Sequence, residues 1–175
     1  MTLSKIELLN NKFIDPGEGF TSRDARITIE SHMIIKNRSI AILNNHLSIP
    51  FQRSNICKGL NCLLSNYNQN DRDNQLYFLK EYIEKNSSNY ILMGDFNLSD
   101  QNYSYINFTN DLIDTGVCSG KFNYTWSNVF FIPFIRLDYI LVKNEQDQVI
   151  IPISTKTFKL DKSDHLGIIA ELIIL

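Results

Sequence analysis

The sequence predicts a mixed α/β sandwich, and three observations point to it. Short runs rich in Ile, Leu and Val, each about the length of a strand, recur along the chain. Two segments with helical character lie between them, and the first two runs are close enough to form a hairpin. The 175 residues suffice for one ordinary domain with a sizeable core, and no shift in composition marks a second, so residues 1–175 read as a single domain. An apolar content of 43% with 21% charged residues is that of a soluble globular chain.

After a polar, Gly-containing opening (Asp15, Pro16, Gly17, Glu18, Gly19), residues 25–35 have the β-branched content of a strand. Asn37-Arg38 suits a tight turn. Residues 39–47 read as a second strand, antiparallel to the first, with an unbroken apolar run that suits burial on both faces. Residues 50–70 are polar and rich in Asn and Ser, with a short helix expected at 57–64. Residues 72–85 carry the clearest helix: Leu76, Leu79, Tyr82 and Ile83 fall at helical spacing with charges opposite, and Asp71 suits the N-cap.

Residues 86–89 break that helix, and 90–93 form a buried strand that runs into Gly94-Asp95-Phe96-Asn97. A second helix is expected over 103–113, with Ile106, Asn110 and Ile113 on one side and Gly116 ending it. Residues 136–142 form a strand with a charged start. Residues 149–158 form another, and Pro152 puts it near an edge. The apolar run from Leu166 is the last strand.

Bulk properties exclude some functions. A net charge of −2 gives no basic footprint for non-specific nucleic-acid binding, although a nuclease needs basic groups in one cleft only. Cys57, Cys62 and Cys118 cannot all pair and match no zinc spacing, so a reducing, cytoplasmic setting is the simplest expectation. Residues 1–13 are too polar for a signal peptide or anchor. The run at 129–135 is interrupted by Pro133 and too short to span a bilayer, so no transmembrane segment is expected.

Two motifs carry the chemistry. Asp95 and Asn97 sit two apart at a strand end, so in an extended segment a carboxylate and an amide would point the same way. An Asx-type turn accounts for the same residues equally well. His165, beside Asp164 and ahead of the last strand, offers a proton-transfer or phosphate-binding imidazole. Asp138 is a carboxylate in an apolar strand, costly to bury without a partner. An imidazole on a neighbouring strand would be a natural partner, and a salt bridge to Arg136 or a lysine the plainer alternative. His46, Arg72, Gln75 and the lysines 156, 159 and 162 read first as ordinary strand-end, helix-surface and loop residues. The cluster Tyr124-Thr125-Trp126 either packs on substrate or anchors its loop.

Taken in order, Asn45-His46-Leu47, Arg72 to Gln75, Gly94-Asp95-Phe96-Asn97, Tyr124-Thr125-Trp126, Arg136-Leu137-Asp138-Tyr139 and Ser163-Asp164-His165 resemble the endonuclease/exonuclease/phosphatase superfamily. The resemblance implies a four-layered α/β sandwich of the deoxyribonuclease-like type and a hydrolase of phosphoester bonds dependent on Mg²⁺ (or Mn²⁺), with water attacking in line on phosphorus. It implies Asp95, His165, Asp138 and His46 as catalytic groups. Asn97, His46, Trp126 and Arg72 would contact the phosphate, and Asp164, Asp95 and Asn97 would hold the metal. Substrates would be phosphodiesters, nucleic acid included, or phospholipid headgroups.

The family pattern opens with a strand bearing an asparagine and a strand ending in a metal-binding glutamate. Neither is legible in the first thirty residues: Glu7 and Glu18 lie in polar surroundings, and Asn10-Asn11 precedes no apolar run. The chain therefore reads as lacking the N-terminal strands of the fold. That leaves two expectations: self-association through exposed sheet edges, and a catalytically impaired pseudoenzyme or phosphate-binding remnant as the alternative to an active hydrolase.

Overall fold

The computed structural model of the protein describes residues 2–16, 27–49, 70–120, 124–126, 134–145 and 149–175. The expected helix at 57–64, Cys57 and Cys62, nearly all of the polar stretch at 50–70, and residues 127–133 lie outside them. The elements are β1 (Leu9–Ile14), β2 (Thr28–Ile35), β3 (Arg38–His46), α1 (Asn70–Lys85), β4 (Asn89–Asp95), α2 (Tyr103–Thr109), β5 (Ile113–Asp114), α3 (Thr115–Cys118), β6 (Asp138–Lys143), β7 (Ile150–Lys159) and β8 (Leu166–Ile174).

Among the described residues six strands form one sheet in the order β1-β2-β3-β4-β6-β5, and β7 and β8 pair as a second. Among the described strands only β3 and β4 run parallel, with α1 as their crossover; the other described pairs are antiparallel. Alternate residues of the large sheet feed two cores. Leu43, Tyr90, Leu92, Tyr139 and Leu141 meet Leu76, Leu79 and Ile83 of α1 with Tyr105 and Phe108 of α2. On the opposite face Ile40, Ile42, Ile91 and Val142 pack with Ile150, Leu172 and Ile174 of the small sheet. Burial on both faces explains why β3 and β4 read as unbroken apolar runs. The mixed α/β fold is as expected.

Several boundaries differ from the sequence reading. The hairpin turn is Lys36-Asn37, one residue earlier, with φ of 51° and 61°, and Ile35 pairs with Arg38; positive φ at both positions matches the twist of the flanking strands. The main helix begins at Asn70, so Asp71 lies in its first turn rather than at its cap. Helix α2 stops at Thr109, and its buried residues are Tyr105 and Phe108 while Ile106 faces solvent. Ile113 belongs to β5 because it pairs with Val142, and Gly116 sits inside α3.

Asn10 and Asn11 do lie in a strand. β1 is the sheet's edge, mostly exposed, and pairs by backbone with β2, with Asn10 at φ 52° within an irregular register. An edge strand needs no apolar face, so periodicity does not reveal it. Its anchor is buried Glu30 of β2, which receives Lys12 at 2.9 Å and the Tyr82 hydroxyl of α1.

Candidate active site

The parallel register of β3 and β4 sets Asn45 opposite Gly94 and His46 opposite Asp95. Gly94 adopts φ +130°, and a Cβ there would lie 1.9 Å from the Asn45 carbonyl oxygen. Only glycine permits both the conformation and the approach. Asn45 is itself buried, its Oδ1 accepting the Thr28 hydroxyl at 2.8 Å. The two strand ends are thus clamped together, and the Leu47 N–H donates to the Asp95 carbonyl at 2.9 Å. His46 remains half exposed, its Nε2 3.7 Å from Asp95 Oδ2.

Asp95 and Asn97 do not share an extended segment. The Asn97 N–H donates to Asp95 Oδ1 at 2.8 Å, and Asn97 takes φ +49°, a left-handed conformation that asparagine tolerates. The Asx turn is thus formed by Asp95 and Asn97 themselves, and it presents the Asp95 carboxylate at the end of β4. Asn97 Nδ2 donates to the Leu47 carbonyl at 2.9 Å, and buried Arg72 of α1 donates to the Asn97 carbonyl. Gln75, one turn on and fully buried, accepts the Ser48 N–H at 2.9 Å. Helix α1 therefore holds the segments that follow β3 and β4, and Arg72 has no surface position. Their helical spacing from Leu76 and Leu79 was the available sign that these two polar residues face inward.

Asp138 opens β6 directly opposite Asp95. Its Oδ2 lies 2.8 Å from Nδ1 of His165, which precedes β8. Arg136, the alternative partner, instead forms a buried two-pronged pair with Asp114, which also receives the Tyr105 hydroxyl and the Gly116 N–H. The hydrogen bond to Asp138 raises the His165 pKa above its ordinary value of 6.5; burial opposes this, and the nearby negative charges of Asp138, Asp95 and Asp164 reinforce it.

Asp95, Asp138 and His165 each offer a ligand atom within 4.8 Å of one another, the one such group among the described residues. Asp164 is exposed, and its Oδ2 accepts the Trp126 indole N–H at 3.1 Å. Trp126 also forms a backbone bridge to His165, and its ring lies 5.9 Å from that of Phe134. Lys156, Lys159 and Lys162 are exposed. No helix among the described residues is long and apolar enough to cross a membrane.

A model of the Endonuclease/Exonuclease/phosphatase family matches residues 18–165. The chain belongs to that family. No curated protein matches it significantly by sequence. Among solved structures, the mannosyl-6-phosphatase Bt3783 of Bacteroides thetaiotaomicron VPI-5482 is 17% identical with a TM-score of 0.70, over 97% of this chain and 67% of that one. TDP2 of D. rerio, solved with a single-strand DNA product, is 20% identical with a TM-score of 0.68, over 95% of this chain and 68% of that one. A functionally unknown conserved protein from Enterococcus faecalis V583 is 16% identical with a TM-score of 0.72, over 97% and 68%. At these identities the likeness is one of fold, and this chain spans about two thirds of each of those structures.

Enzymes of the endonuclease/exonuclease/phosphatase family are generally metal-dependent, and the donor chemistry here fits a hard divalent cation. Mg²⁺ is commonly held by one or two carboxylates, with water and phosphate oxygens completing the shell. Asp95 offers such a carboxylate in the cluster with Asp138 and His165, and Asn97 follows it in the same turn.

Proposed function

We propose that the chain is a metal-dependent hydrolase of phosphoester bonds, with phosphodiesters, nucleic acid included, as the favoured substrates and one domain spanning residues 1–175. The observation that carries this is the convergence of Asp95, Asp138 and His165 within 4.8 Å at the ends of strands from both sheets.

Asp95 orients the attacking water and accepts its proton as the new bond to phosphorus forms in line with the ester bond that breaks. His165, its Nδ1 engaged by Asp138, uses Nε2 to bind the phosphoryl group or to move a proton to the departing oxygen. Asp138 keeps that ring in one orientation. Asn97 has one amide N–H committed to Leu47, which leaves the other and its carbonyl oxygen for phosphate or cation. His46 contacts the phosphate beside Asp95, and Trp126 packs at the rim while holding Asp164. Arg72 serves by supporting the Asn97 turn. Asp95, Asn97 and Asp164 would hold Mg²⁺ or Mn²⁺, which when bound supplies Lewis-acid stabilisation of charge on the phosphoryl oxygens.

Cleavage of single-stranded DNA, a phosphodiester ester and a phosphomonoester, with Mg²⁺ or Mn²⁺, is to be compared for wild type, His165→Ala and Asp95→Asn. Metal-dependent turnover lost by on the order of 10²-fold or more in both variants is expected. Thermal unfolding should rise with Mn²⁺ in wild type and less in Asp95→Asn. Wild-type activity no higher than that of the variants would overturn the hydrolase reading. A second reading, phosphate binding without turnover, keeps the same phosphate-facing groups and differs only in the absence of hydrolysis. It would show as metal-dependent substrate binding with no product.

A further inference from the structure

Three stretches that carry the candidate site are linked through one residue and its immediate partners. Thr125 is completely buried, and its Oγ1 accepts the backbone N–H of Leu137 at 3.0 Å and of Asp138 at 3.1 Å. Its carbonyl accepts the N–H of Leu166, the residue after His165, at 2.7 Å. Its own N–H donates to Ile135 at 3.0 Å, and the Leu137 carbonyl accepts the N–H of Phe96, between Asp95 and Asn97, at 2.9 Å. One residue thus ties the start of β6 to the start of β8, and through Leu137 to the turn after β4.

We propose that Thr125 is a positioning residue of the site: its hydroxyl fixes the Asp138 backbone and its carbonyl fixes the segment after His165, so that the Asp138–His165 hydrogen bond forms across the seam between the two sheets. Its bearing on catalysis rests on the hydrolase reading above; its bearing on the hydrogen bond does not. The two partners come from separate sheets, so no ladder sets their separation, and small backbone shifts at either end would break a 2.8 Å contact. A displacement of about 1 Å at such a pair can lower a rate by about 10²-fold.

The test uses Thr125→Val, which keeps the branched shape and loses the acceptor, and Thr125→Ser, which keeps the acceptor and loses a methyl. Proton NMR of the full-length protein reads the hydrogen-bonded imidazole N–H of His165, assigned by its loss in Asp138→Asn. The resonance is expected to vanish or move strongly in Thr125→Val and to stay at the wild-type position in Thr125→Ser. If the hydrolase reading holds, kcat falls about 10- to 100-fold in Thr125→Val with little change in KM, and Thr125→Ser restores most of it.

A wild-type resonance in folded Thr125→Val, or its loss in Thr125→Ser, would overturn the proposal. So would the absence of the resonance from the wild type. Should Thr125→Val fail to fold, Thr125→Ala and Thr125→Ser read the same contrast. Absence of turnover in every protein, with the resonance behaving as expected, would count against the hydrolase reading alone.

Discussion

His165 Nδ1 and Asp138 Oδ2 stand 2.8 Å apart although one residue precedes a strand of the two-stranded sheet and the other opens a strand of the six-stranded sheet. The contact raises the His165 pKa above 6.5. The sign of the linked stability follows from that direction. A pKa higher in the folded than in the unfolded chain means that the pair stabilises the fold fully below the unfolded value. The contribution is lost as pH rises through the folded value.

The urea midpoint of the wild type should therefore fall as pH rises from about 6. Asp138→Asn, which removes the charge that favours the imidazolium, should show a smaller fall and a lower His165 pKa by NMR titration. Equal pH slopes in the two proteins would show that the pair is not formed in solution. On the proposed mechanism the same variant also loses on the order of 10²-fold in kcat.

Gly94→Ala should destabilise the fold strongly. The residue holds φ +130°, and the added Cβ would meet the Asn45 carbonyl at 1.9 Å, so the β3–β4 pairing must open at the strand ends. Strained backbone and overpacking together put the cost at about 2–4 kcal/mol, measurable from urea unfolding. A loss under about 0.5 kcal/mol, the range of ordinary surface changes, would contradict the close approach.

The Asp114–Arg136 pair is almost wholly buried, so removing one partner leaves a charge without compensation. Asp114→Asn should cost about 3–5 kcal/mol. Burial alone would push the Asp114 carboxyl up, but the hydrogen bonds and charge of Arg136 outweigh it and hold the pKa below the ordinary 3.8. The associated stability is present above the unfolded value and lost as pH falls through the folded one. Acid unfolding of wild type should therefore steepen below about pH 4, and Asp114→Asn should lack that component.

Some of this site was legible in sequence because local pattern carries it. Leu76, Leu79 and Ile83 announce α1, and the apolar runs of β3 and β4 announce a strand buried on both faces. Polar groups at the ends of such runs, Asp95, Asn97 and His165, stand out for the same reason. β1 was not legible, since its strand state comes from backbone pairing with β2 and not from an apolar face. The expected helix through Ile113 was overridden by a sheet partner, Val142, that lies far along the chain.

Side-chain type and apolar period are local properties, so the chain alone reveals which groups could do chemistry and that they lie where buried strands meet loops. Which of those groups meet is settled by folding. Arg136 could have claimed Asp138, yet it pairs with Asp114, and Asp138 meets His165 instead. Arg72 could have faced a phosphate, yet it is buried beneath the Asn97 turn. Strand order, register and helix placement set those partnerships. They arise from packing between segments far apart in the chain, which no local pattern encodes.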